Sequence, residues 1–154
     1  MLNQTLNTKV RATVAAISAI CFLTPTAVRA DNSRYVYDIG RQLVRVAAAA
    51  GLGGYTRTHK PFIDKLADNR SDNITINLRA GTSYGIVGVC DRDCRDLDIV
   101  LYDSAGNRIA SDFKKDDTPF IRINPYRSGA YRIRVNMANC NNNPCYYGVG
   151  AFGR

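Results

Sequence analysis

The chain contains no tryptophan and no glutamate; all 13 of its acids are aspartate. It has one histidine, His59. Nothing matches GxSxG, HExxH or a phosphate-cradling glycine loop, so the usual motifs of serine hydrolases, zinc proteases and nucleotide-dependent enzymes are missing. Paired glycosidase carboxylates occupy contrasting environments in a cleft, and crowded aspartates beside arginines do not resemble that arrangement. No apolar run reaches bilayer length, the longest being the mostly apolar Ala12–Leu23. There is no internal repeat and no low-complexity stretch. These absences point away from an enzyme and away from a membrane-spanning helix.

What is present begins with an export signal. Lys9 and Arg11 precede the short apolar run, and Val28 and Ala30 supply the small residues of a cleavage site after Ala30. Cys21 invites a lipoprotein reading, but the bulky Ile20 before it fits that motif poorly. A periplasmic or secreted protein is expected, with residues 31–154 as the mature chain. That part carries 18 Lys and Arg against 13 Asp, a net +5. Moderate basicity suits an anionic envelope surface and is common without one.

Residues 33–50 read as one amphipathic helix. Val36, Ile39, Leu43, Val46/Ala47 and Ala50 recur at helical spacing, with Asp38, Arg41 and Arg45 on the solvated side. The GLGG at 51–54 ends it. From Tyr55 the period changes to two. Strands are expected at 73–78, 83–89, 97–103, 119–124, 130–137 and 145–152, with weaker ones at 61–66 and 108–112. The fold class is mainly β: an antiparallel, jelly-roll-like sandwich of seven or eight strands with one N-terminal helix. Residues 1–30 are the signal, 31–58 the helix and connection, and 59–154 the sandwich. If successive strands reverse, CDRDC, FKKDD and CNNNPC share one pole, where a sandwich usually carries binding loops.

The segment Leu66–Phe152 resembles the bacterial pre-peptidase C-terminal domain. LRAGTSY, DLDIVLYDSAGN, SGAYRIRV and YYGVG stand where that family has its matching elements. The resemblance implies a jelly-roll-like sandwich of the kind appended to secreted peptidases, and related collagen-binding domains bind calcium and protein fibrils. The chain departs from the family in having no peptidase domain and in carrying two cysteine loops and a helix. It also resembles small exported bacterial proteins that stand alone with two such loops.

Cys90, Cys94, Cys140 and Cys145 remain after cleavage. Three pairings exist. The spacings favour local disulfides across hairpin loops, with cross-pairing between the loops or a four-cysteine zinc site as alternatives. Asp91, Asp93, Asp96 and Asp98 are the candidate calcium ligands, although the spacing lacks the EF-hand glycine and final glutamate. Against calcium stand Arg92 and Arg95, which can neutralise two of the charges, while Asp91 and Asp93 cap the turn. With Leu97, Ile99 and Leu101 inward, Asp96 and Asp98 face out.

Lys114, Lys115, Arg122, Arg132 and Arg134 are the candidate binding cations. If 119–124 and 130–136 form a hairpin, Arg122 and Arg132 lie nearly opposite and need an aspartate or an anionic partner. No aromatic platform accompanies them, so nucleic acid is not expected. His59 reads as an ordinary strand-edge residue. The expected function is an exported, non-enzymatic binding module contacting a protein or an envelope glycan. The alternative is an inhibitor or chaperone-like partner of a secreted peptidase.

Overall fold

A computed structural model describes residues 30–154, with side chains described from Ser33 onward. The expected export signal and Cys21 lie outside the described residues. Helix α1 spans Ala30–Ala49. It ends as the GLGG run predicts: Gly51 takes φ 78°. The amides of Gly51 and Leu52 return to the carbonyls of Ala48 and Ala47, a Schellman closure. Among the described residues no helix is long and apolar enough to cross a membrane.

Nine strands follow: β1 Thr56–Arg57, β2 Phe62–Leu66, β3 Arg70–Leu78, β4 Tyr84–Cys90, β5 Cys94–Tyr102, β6 Arg108–Asp112, β7 Phe120–Ile123, β8 Gly129–Cys140 and β9 Cys145–Gly153. They form two antiparallel sheets. The first runs β1-β9-β4-β7, with β2 also on β9, and the second runs β3-β8-β5-β6. Among the described residues the mainly β sandwich with one helix is therefore the observed architecture. Its ninth strand is the two-residue β1, too short to leave a period in the sequence.

One expectation is corrected here. β7 and β8 do not form a hairpin; β7 pairs with β4 in the first sheet and β8 with β3 and β5 in the second. The PYRSG connection crosses between sheets because the inward sides of Ile121 and Ile133 belong to opposite walls of one core. Arg122 and Arg132 are thus not neighbours.

Between the sheets lie Leu97, Ile99, Leu101, Ile133, Val135, Met137 and Tyr147, all essentially inaccessible. The alternation read on β5 and β8 is the one observed. Tyr147 donates its hydroxyl to Asp72 Oδ2 at 2.8 Å, linking β9 of one sheet to β3 of the other. Burial, then the Asp72 carboxylate, pushes that phenol well above its ordinary range.

A second, smaller core sits outside the first sheet. There Ile39, Leu43, Ala47 and Leu52 pack on Val87, Val89 and Phe152. The helix and the turn after it approach this closely because Gly148 and Gly85 beneath them carry no side chain. A Cβ on Gly148 would collide with Ile39 Cγ2, and one on Gly85 would lie 2.5 Å from Leu52 Cδ1. Val36, expected on the buried stripe, is 46% exposed. In the first turns the sheet contact falls instead to Tyr35, whose ring stacks on Tyr146 at 4.4 Å.

Candidate binding site at the stapled pole

The three unusual loops do meet at one end. Cys90–Cys94 and Cys140–Cys145 are bonded locally, each with Cα atoms 5.9 Å apart. Neither cross-pairing nor a thiolate zinc site is formed. The loops then lock to each other. Asn141 N–H donates to Asp93 O at 2.8 Å, Asp91 N–H to Tyr146 O at 3.0 Å, and Tyr146 N–H to Asp91 Oδ2 at 2.8 Å. The FKKDD loop joins them through Leu97 N–H to Asp116 O at 3.0 Å.

Asp68, unnoticed in the sequence, adds the β2–β3 turn: its Oδ1 accepts from Cys140 N–H at 2.8 Å, and its own N–H donates to Asn143 Oδ1 at 2.7 Å. Asp112 is a second residue the sequence did not reveal. It is 8% exposed, and its two oxygens accept from the amides of Lys114 and Phe120. A strand-terminal aspartate before a charged loop is indistinguishable by pattern from a solvated one.

Each candidate calcium ligand has a definite placement. Asp91 spends one oxygen on Asp93 N–H and the other on Tyr146 N–H. Asp98 is 8% exposed and accepts from Asn136 Nδ2 at 3.1 Å. Bulges between Cys94 and Leu97 set Asp96 off the regular ladder. Among the described residues no three His, Cys, Asp or Glu side chains are grouped to hold a metal ion. Asp91 and Asp98 thus have oxygens committed to backbone amides and to Asn136. Arg92 and Arg95 do not neutralise them either: among the described residues the ion pair formed is Lys114–Asp112, at 3.7 Å.

Asp96 is the strained member. Its Oδ1 is buried without a hydrogen-bond partner. Burial, then the charges of Asp98 and Asp116, raise its pKa, with Lys115 opposing. A raised carboxyl contributes stability that is full below its unfolded value of about 3.9 and lost as pH rises through the folded value. Asp96→Asn is accordingly expected to raise Tm at pH 7, with the gain disappearing near pH 3. Thermal denaturation across that range checks this; a lower Tm at pH 7 would refute it.

The candidate binding cations are dispersed. Lys114 and Lys115 are exposed on the pole loop. Arg122 lies under the helix terminus, its Nη2 3.4 Å from Ala50 O. Arg132 and Arg134 lie on the opposite sheet.

The structure instead gathers helix arginines, of which Arg41 and Arg45 read as a solvated face and Arg34 is not singled out by the sequence. A cleft of about 710 Å³ opens between α1 and the Cys90–Cys94 loop. Arg34, Arg41 and Arg45 line it from the helix, with Asp38 and Gln42, and Arg92, Asp93 and Asp117 face them. Among the described residues none of these guanidiniums is ion-paired. The signal was present as three arginines along one helical flank; what the sequence lacked was the loop opposite. A smaller recess of about 320 Å³ opens between β2 and β3. His59 straps its mouth, with Nδ1 2.8 Å from Thr58 Oγ1 and Nε2 3.0 Å from Asn77 O.

No family model and no curated protein matches the chain. Among solved structures it is similar to the pre-peptidase C-terminal domain of collagenase from Bacillus anthracis. That likeness has 16% identity over 60% of this chain and 87% of that one, with a TM-score of 0.48. It is also similar to PliG of Aeromonas hydrophila, a periplasmic inhibitor of g-type lysozyme. There the identity is 10% over 62% of this chain and 85% of that one, with a TM-score of 0.48. The first is the family that the strand motifs resemble.

Proposed function

We propose that the protein is an exported, non-enzymatic binding module that holds an acidic segment of a protein partner in the cleft between α1 and the Cys90–Cys94 loop. The observation that carries this reading is the set of four guanidiniums lining the cleft, Arg34, Arg41, Arg45 and Arg92, none ion-paired among the described residues although Asp38, Asp91, Asp93 and Asp117 line it too. A guanidinium left without a carboxylate is an available bidentate donor for one. Arginine and tyrosine dominate protein interface hot spots, and the helix adds Tyr37, 62% exposed, beside Arg41. Two stapled loops locked together by backbone hydrogen bonds hold the far wall rigid, which lowers the ordering cost of binding. The two disulfides fit an oxidising compartment.

The test is retention of solubilised envelope material on the immobilised mature protein. The expected result is a discrete protein species, lost after protease treatment of the fraction and reduced at least tenfold by Arg41→Ala/Arg45→Ala. Retention that survives protease and disappears on glycan digestion would assign an envelope glycan to the cleft instead. Retention unchanged in the double variant would refute the cleft.

A further inference from the structure

The two sheets have unlike outer faces. α1 covers the first, while among the described residues no helix lies on the second. On that bare face the ladder aligns Thr75, Arg132, Tyr102 and Arg108 in one row across four strands. The next row holds Asn73, Arg134, Val100 and Ser111. Arg108, Arg132 and Arg134 are exposed, and none is ion-paired among the described residues. Asp98, in the next row along the face, is buried and tied to Asn136.

Two of the arginines are also held in place. Arg132 lies over the Tyr102 ring at 4.8 Å, and Arg134 Nη2 is 3.2 Å from Ser71 Oγ. A guanidinium lying on a ring still presents N–H edges for bidentate contact with a carboxylate. Spacing along a strand puts Arg132 and Arg134 about 7 Å apart, and two strand spacings put Arg108 roughly 10 Å from Arg132.

We propose that this face is a platform for a carboxylate-bearing polysaccharide, independent of the cleft. Charge complementarity requires an anionic ligand. The hydroxyls and amide of Thr75, Ser111 and Asn73, which flank the arginines on the two edge strands, suit a polyhydroxylated one. A protein partner would want an apolar centre, and the central Val100 here is only 5% exposed. Single-stranded nucleic acid would want free aromatic faces, and Arg132 already covers the face of Tyr102.

Polygalacturonate is the probe, titrated calorimetrically against the mature protein. Arg132→Ala/Arg134→Ala should weaken binding at least tenfold, and Arg132→Lys/Arg134→Lys should also weaken it, because lysine lacks the planar fork. Thr75→Glu, at an exposed position, should give a comparable loss, so the result does not depend on one variant folding. Arg41→Ala/Arg45→Ala should leave polygalacturonate affinity unchanged. The proposal is overturned by absence of binding, by unaltered affinity in the arginine variants, or by equal affinity for an uncharged glucan. Equal affinity for single-stranded DNA or for anionic phospholipid vesicles would overturn it too.

Discussion

Gly148→Val is expected to detach α1 from the sandwich and lower Tm by roughly 10 °C. The new side chain would enter space filled by Ile39 Cγ2, with Leu43 Cδ1 3.4 Å from the Cβ position and Ile63 beside it. Overpacking of this kind costs about 1–3 kcal/mol when the neighbours yield. Here the colliding atom is a branch close to the helix backbone, so the helix must move as a whole. Moving it exposes Ile39, Leu43 and Leu52, each worth about 1.5–3 kcal/mol when buried. A dislodged helix keeps part of that surface covered, so about 3 kcal/mol is the expected loss. For a domain of this size that corresponds to roughly 10 °C. A freed helix of this length is marginal in water, so helical circular dichroism should fall while β signal persists. Hydrogen exchange on the α1 amides locates the effect. Unchanged protection there would contradict the packing described for the second core.

Asp112→Ala is expected to cost about 2–4 kcal/mol, and the magnitudes say why. The ion pair with Lys114 is long, and Lys114 is 78% exposed, so it contributes at most about 0.5 kcal/mol. The backbone contacts weigh more. Asp112 Oδ1 accepts from Lys114 N–H at 3.2 Å and Oδ2 from Phe120 N–H at 3.0 Å. Phe120 belongs to the other sheet, so one buried carboxylate closes the loop and bridges the sandwich. Leaving buried donors without an acceptor costs about 1–3 kcal/mol each. Chemical denaturation should therefore show a large drop for Asp112→Ala, a smaller one for Asp112→Asn, and almost none for Lys114→Ala. Equal losses for Asp112→Ala and Lys114→Ala would mean that the ion pair carries the stability.

The role of Asp112 is shared by other aspartates of the chain. Asp68, Asp91, Asp103, Asp112 and Asp116 each accept from nearby or facing backbone amides at loops. An aspartate oxygen reaches the amide two residues on, and the longer glutamate side chain does not close that ring as well. Asp103 shows it most fully. Asn107, through its side-chain and backbone N–H groups, holds the Asp103 carboxyl below its usual range, with smaller help from the amides of Ala105 and Gly106.

Period-two patterning was enough to read the strands, the inward residues of β5 and β8, and the shared pole. The GLGG stop was legible because glycine has a specific conformational use there. Sheet membership was not legible, since β7 and β8 alternate identically whether they pair or face each other across the core. Nor was the cleft, because Arg34, Arg41 and Arg45 acquire a facing wall only when glycines on β9 and β4 let the helix dock. Asp91 and Asp98 look like ligands in sequence, yet the backbone and Asn136 take up their oxygens. What separates a capping aspartate from a coordinating one is the three-dimensional position of amides far along the chain.

The cleft is tested most directly by a photo-cross-linking amino acid placed at position 42, inside it, and at position 104, on the turn at the other pole. In envelope extracts, position 42 should yield a defined protein adduct that disappears in Arg41→Ala/Arg45→Ala, and position 104 should yield none. An equal adduct from position 104, or one from position 42 that persists without the two arginines, would contradict the assignment of the cleft as the binding site.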